Sequence, residues 1–204
     1  MLSLNDVYTF ANNAFMENYD SSNESVAKCE QVIFDWLTQT ERHNIDLPVL
    51  RFDMQLLFSV LKDTKYATYS YYRGICKDRS PANFLVSFTR HIETALRFRG
   101  LTKEHDDFRD FGILPTRDTY LIYESNSKDN FRLTDFLFDQ IIDKTQNTVL
   151  QSAIEEYSGE DEIISSEHDA TLHRYNRQEI YEILKNTDLQ FSFLTDWDKK
   201  FFTI

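Results

Sequence analysis

The hydrophobic period of this chain changes near Lys65, and that change limits the fold more than any composition figure does. Before it, apolar residues recur at helical spacing. "LNDVYTFANNAFMENY" sets Leu4, Val7, Tyr8, Ala11, Phe15 and Met16 on roughly one face. "SSNESVAKCEQVIFDWLTQTERH" opens with Ser22 three residues before Ser25 and carries Val26, Cys29, Val32, Ile33 and Leu37 at the same spacing. Pro48 stands at the start of a third helix, "VLRFDMQLLFSVLKD", where its missing N–H costs nothing. After the change, "KYATYSYYRGI", "NFLVSFT", "TYLIYES", "EDEIIS", "ATLHRY" and "LQFSFLTDW" read as strands. Helical patterns return in "RHIETALRFRG", "LTDFLFDQIIDK" and "TVLQSAIEEY", while "HDDFRDFGILPTRD" reads as a loop with apolar anchors. Helices first and a mixed strand-rich part afterwards indicate an α+β fold rather than a wound parallel sheet. The expected division is a helical lobe over residues 1–65 packed on a mixed β-sheet core over 66–204, together forming one compact unit.

Length and charge narrow the functional classes. A chain of 204 residues with 17 Phe and 11 Tyr can bury a substantial core. A net charge of -12 argues against tight binding to duplex nucleic acid, which draws its affinity from Lys and Arg on phosphates. It suits a soluble protein, or one that meets basic partners. Two cysteines, Cys29 and Cys76, are too few for a four-cysteine zinc site and read as reduced thiols of a cytoplasmic protein. The N-terminal stretch has no basic start and no long apolar run, so neither a signal peptide nor a membrane helix is expected.

Several familiar sites are missing. The four glycines, Gly74, Gly100, Gly112 and Gly159, cannot build a dinucleotide fingerprint or a phosphate loop. His168 and His173 lie near Glu167 and Asp169, but their spacing fits no metal-ligand motif; surface polar residues are the better reading and no metal is expected. Three pieces remain. In "YYRGI", Arg73 ends a strand; its guanidinium can hold a diphosphate, and Gly74 lets the backbone approach a ligand. An ordinary turn would use the same pair. In "SFTRHIETALRF", strand alternation puts the hydroxyls of Ser87 and Thr89 on one face, and Ala95 and Phe98 would pack the following helix back on the sheet. In "GEDEIISS", alternation puts Glu160 and Glu162 on one face and Asp161 toward solvent, while Ile163 and Ile164 bury the strand. An acidic hairpin rim is the alternative.

Taken in order, these pieces resemble the arginine-serine-glutamate class of ADP-ribosyltransferases, and small bacteriophage or bacterial toxin members in particular. That class has an Arg on a first strand, a Ser-x-Ser/Thr strand followed by a helix with Ala and Phe, and a Glu-x-Glu on a later strand. The likeness covers about Tyr66 to Tyr175. This chain departs in two places. Only "CKDRSPANF" separates the Arg73 strand from the Ser87 strand, where the family usually has a longer segment, and Thr89 stands where serine is usual.

The resemblance implies a core of ADP-ribosyltransferase type and transfer of ADP-ribose from NAD+, as substrate, to an arginine of a target protein in the cytoplasm, that of a host cell for a phage or toxin member. By the family pattern Glu162 stabilises the cationic ribose, Ser87 holds Glu162, and Arg73 binds the phosphates or the nicotinamide-side ribose. Gly74 and Thr89 complete the NAD+ contacts. Glu160 faces the acceptor arginine, and Tyr157, in the loop before the strand, helps select it. Phe108, Phe111, Tyr123 and Phe131 are candidates for stacking on nicotinamide. Two other readings stay open: an NAD+ glycohydrolase with water as acceptor, and a non-catalytic acidic protein that occupies basic partners.

Overall fold

Ser3 starts the first helix for a local reason. Its Oγ accepts the Asp6 N–H at 3.1 Å and the Asp6 carboxylate accepts the Ser3 N–H at 2.9 Å, a capping box that satisfies donors no helical carbonyl can reach. The computed structural model of the protein describes residues 1–38, 45–61, 70–75, 84–92, 94–95, 119–126, 130–158 and 161–176, and the single positions 81, 178, 179 and 182. Helix α1 runs from Leu4 to Ala14, α2 from Glu24 to Leu37, α3 from Leu47 to Leu61, α4 from Leu133 to Gln140 and α5 from Thr148 to Tyr157. The strands are β1 (Tyr71–Ile75), β2 (Leu85–Thr89), β3 (Thr119–Ser125), β4 (Phe131–Arg132), β5 (Glu162–Ser166) and β6 (Thr171–Asn176). This is the α+β class expected. The expected loop "HDDFRDFGILPTRD", the strand "LQFSFLTDW" and most of the helix "RHIETALRFRG" lie outside the described residues.

Caps set the other helix starts. Asn23, not Ser22, caps α2: its Oδ1 accepts the N–H of Ser25 and of Val26. Ser22 instead gives its hydroxyl to Asp20. Pro48 sits in the first turn of α3. Asn147 caps α5 by accepting the Leu150 N–H at 3.1 Å.

The chain forms two compact units. The first comprises Met1–Thr68, Ala82–Ser87 and Ser127–Glu167. It crosses the expected boundary at residue 65 because the N-terminal helices need an apolar partner from later in the chain. Val7, Phe10, Ile33 and Met54 share one core with Phe131, Leu137, Leu150 and Ile164. Phe136 of α4 lies at its centre, with ring centroids 5.4 Å from Phe131, 6.1 Å from Phe10 and 6.2 Å from Phe15. Strand β4 pairs antiparallel with β5, Phe131 opposite Ile164 and Arg132 opposite Ile163. Cys29 is buried there and its thiol is pushed up to about 12 by that burial, so it behaves as a packing group. Among the described residues no helix is long and apolar enough to cross a membrane.

The second unit comprises Tyr69–Pro81, Phe88–Asn126 and His168–Ile204. Its sheet order is β2-β1-β3-β6, with β2 entering at Phe88. All pairings are antiparallel: Tyr72 faces Thr89, Arg73 faces Tyr123, and Ile122 faces both Gly74 and His173. Tyr71 meets Phe88 edge-on at 5.3 Å, and Ile122 and Tyr123 are buried.

Phe136→Ala should lower the unfolding free energy by about 3–5 kcal/mol in urea titrations, because three aromatic partners cannot all collapse into the space. Val149→Ala, on an exposed face of α5, should change it by less than about 0.5 kcal/mol. The Asp6 carboxyl supplies a pH test. Hydrogen bonds from the Ser3 hydroxyl, then from the Ser25 hydroxyl and the Ser3 N–H, hold it down to about 2. Its folded value lies below the unfolded value of about 3.9, so its contribution is complete above about pH 4 and is lost as pH falls toward 2. The stability gap between wild type and Asp6→Asn should therefore be open at neutral pH and close across that interval.

Candidate active site

Glu162 opens β5, the central strand of β4-β5-β2. The next two residues, Ile163 and Ile164, are buried on both faces, which fixes the strand and carries the carboxylate inward with it. Glu162 is 7% exposed. Burying a carboxylate is costly unless donors replace its water. Two side chains do so at the same oxygen. The Trp36 indole N–H donates to Oε1 at 2.8 Å, from the last turn of α2. The Ser87 hydroxyl of β2 donates to Oε1 as well. A carboxylate oxygen offers two lone-pair sites, so these two donors fill Oε1. The Glu162 backbone N–H is held too, donating to Thr134 Oγ1 in the first turn of α4 at 2.7 Å. All four residues belong to the first unit.

The structure thus brings Ser87 and Glu162 together across 75 positions of sequence. Trp36 is the member that sequence reading missed. It falls among the apolar positions of an amphipathic helix, and nothing in its neighbours announces a polar partner. The one available signal is general: a buried indole N–H needs an acceptor.

The other expected residues stand as follows. Arg73 and Gly74 are in β1 and Thr89 ends β2, all in the second unit. Because Tyr72 pairs with Thr89, strand alternation sets Arg73 on the face of Tyr71 and Tyr123, away from that of Thr89. The Thr89 hydroxyl accepts the His91 N–H at 3.2 Å, closing a local turn. Gly74 does not have a positive φ. Tyr157 is not in a loop: it is the last residue of α5, half-buried. Of the nicotinamide-stacking candidates, Tyr123 and Phe131 are only 2% and 1% exposed and serve the cores of their units, which corrects that expectation for both. Phe108, Phe111 and Glu160 lie outside the described residues.

Asp161 overturns a further expectation. It is buried, not turned to solvent, and its φ of 48° places it in the left-handed region. Aspartate tolerates that region better than most residues. Its N–H donates to the Ser158 carbonyl at 3.2 Å, tying the start of β5 to the end of α5. The alternation that would align Glu160 with Glu162 requires an extended backbone at Asp161, and Asp161 is not extended. Among the described residues no cluster of His, Cys, Asp and Glu is arranged to hold a metal ion.

No protein-family model, no curated protein sequence and no solved structure matches the chain. The functional reading therefore rests on the motif order and on the contacts of Glu162. The Asp161 backbone gives the nearest check on the site's construction. Asp161→Ala keeps a Cβ in the left-handed region and should be less stable than Asp161→Gly by about 1 kcal/mol in chemical denaturation. Both lose the buried carboxylate, so the difference between them reports the backbone alone.

Proposed function

We propose that the protein is a mono-ADP-ribosyltransferase of the arginine-serine-glutamate class, with a core of that type, moving ADP-ribose from NAD+ to an arginine of a target protein. The observation that carries the reading is the Ser87 hydroxyl on the Glu162 carboxylate. The family pattern pairs these two residues, and they are remote in sequence.

The chemistry suits a fixed carboxylate. The bond from the anomeric ribose carbon to nicotinamide breaks, and its electron pair leaves with neutral nicotinamide. Positive charge grows on the ribose, as in glycoside cleavage. A carboxylate already oriented beside that charge stabilises the transition state more than the ground state. A nitrogen of the acceptor arginine supplies the electron pair of the new carbon–nitrogen bond, and its surplus proton passes to a base and then to water. In this scheme Glu162 stabilises the cation and Ser87 orients it. Arg73, with Gly74 beside it, holds the phosphates or the nicotinamide-side ribose, while Thr89, on the opposite face, keeps its hydroxyl for the turn at His91. Glu160 orients the guanidinium and takes up the proton, and Tyr157 contributes to acceptor choice.

One observation favours a second reading. The left-handed Asp161 removes the alternation that aligned Glu160 with Glu162, and Glu162 with Ser87 suffices for cleavage with water as acceptor. That enzyme would be an NAD+ glycohydrolase.

Incubation with labelled NAD+ and a cell lysate separates the two. The wild type should release nicotinamide and label proteins, with the label removed by treatments specific for arginine linkages. Glu162→Ala should reduce both about a hundredfold or more. Glu160→Ala should lose labelling and keep part of the nicotinamide release. Release without labelling by the wild type would establish the glycohydrolase, and no consumption of NAD+ would leave the acidic binding protein.

A further inference from the structure

We infer that Trp36 is a positioning residue for Glu162: its indole N–H, with the Ser87 hydroxyl, fixes the orientation of the carboxylate that meets the substrate ribose. This deepens the transferase reading and rests on it.

The geometry is specific. Trp36 is 3% exposed, and its N–H reaches Oε1 at 2.8 Å across 126 positions of sequence. Ser87 gives its hydroxyl to the same atom. One donor would leave the carboxylate free to turn about its last side-chain bond. Two donors on one oxygen, one from a helix and one from a strand, define its plane. Both donors are neutral groups. The backbone is fixed by a third contact, the Glu162 N–H on Thr134 Oγ1. Position and plane are thus set by contacts from three different elements before any substrate arrives, which is the condition for electrostatic preorganisation.

A purely structural Trp36 would contribute through packing alone, and the two roles separate experimentally. Trp36→Phe keeps a large aromatic body and removes the donor. It should lower kcat for nicotinamide release about tenfold or more, the size of one hydrogen bond to a charged group, and leave KM for NAD+ within about twofold. Trp36→benzothienylalanine, which keeps the bicyclic shape without the N–H, should behave the same way and remain folded at the assay temperature. A spectroscopic readout needs no turnover. The Trp36 indole proton should resonate downfield because it meets a carboxylate, and should move upfield in Glu162→Gln. Wild-type kcat in both position-36 variants, or an indole resonance that ignores Glu162→Gln, overturns the role. Failure of the wild type to consume NAD+ is a different result: it overturns the transferase reading itself, and the role with it.

Discussion

A carboxylate taken out of water needs donors in place of that water, and the placement of Glu162 imposes that condition on two distant pieces of chain. The Trp36 indole of α2 and the Ser87 hydroxyl of β2 donate to the carboxylate, and the Thr134 hydroxyl of α4 accepts the Glu162 backbone N–H. None is near Glu162 in sequence. The arrangement exists only when the first unit has folded, because its parts have no local reason to meet. Loss of a single donor leaves buried charge undersupplied, typically worth 1.5–3 kcal/mol where a charged group is involved. The site and the fold of this unit are therefore coupled.

The aromatic core is what makes that coupling possible. Phe136 gathers Phe10, Phe15 and Phe131 around α4, and α4 carries Thr134 two residues earlier. Phe131 pairs with Ile164 across the β4–β5 ladder, so the same ring that fills the core sets the register of the strand carrying Glu162. Arg132 and Asp135 form an ion pair at the start of α4, with the acid in the first turn, where the helix dipole favours it. Packing thus places β5 and α4 together, and polar contacts then orient the carboxylate. Packing alone would have placed the backbone and left the side chain a choice of rotamers.

Much of this was legible in the sequence wherever local chemistry dominates. "TVLQSAIEEY" and "TYLIYES" fall on α5 and β3 residue for residue, because the period, the bounding polar residues and the side-chain types agree. The Ser22 start failed because Asn23, one residue on, has the amide oxygen in reach of two N–H groups. Strand β4 was invisible: two residues give no period. Asp161 was misplaced because alternation presumes extended backbone, and one positive φ breaks it. Trp36 is not among the residues that the sequence singles out: its ring is apolar except for one nitrogen, and that nitrogen makes the contact. Contacts across 75 or 126 positions are a tertiary fact that no window of sequence contains.

A second buried carboxylate clarifies what is special about the first. Glu30 is 2% exposed, and its Oε1 also takes two neutral donors: the Tyr19 hydroxyl at 2.9 Å and the Thr145 hydroxyl at 2.6 Å. Burial, and then the Glu30 charge, push the Tyr19 hydroxyl up, so it remains a proton donor across ordinary pH. Glu30 lies in the middle of α2 and pins that helix to the chain around Tyr19 and Thr145. Glu162 uses the same device at the first residue of a strand, with one donor supplied by the last turn of that same α2. Helix α2 is thus anchored through one buried acid and orients another. A rigid α2 is what an indole donor needs to act on Glu162 with a constant direction, and the Glu30 anchor supplies that rigidity from within the helix itself.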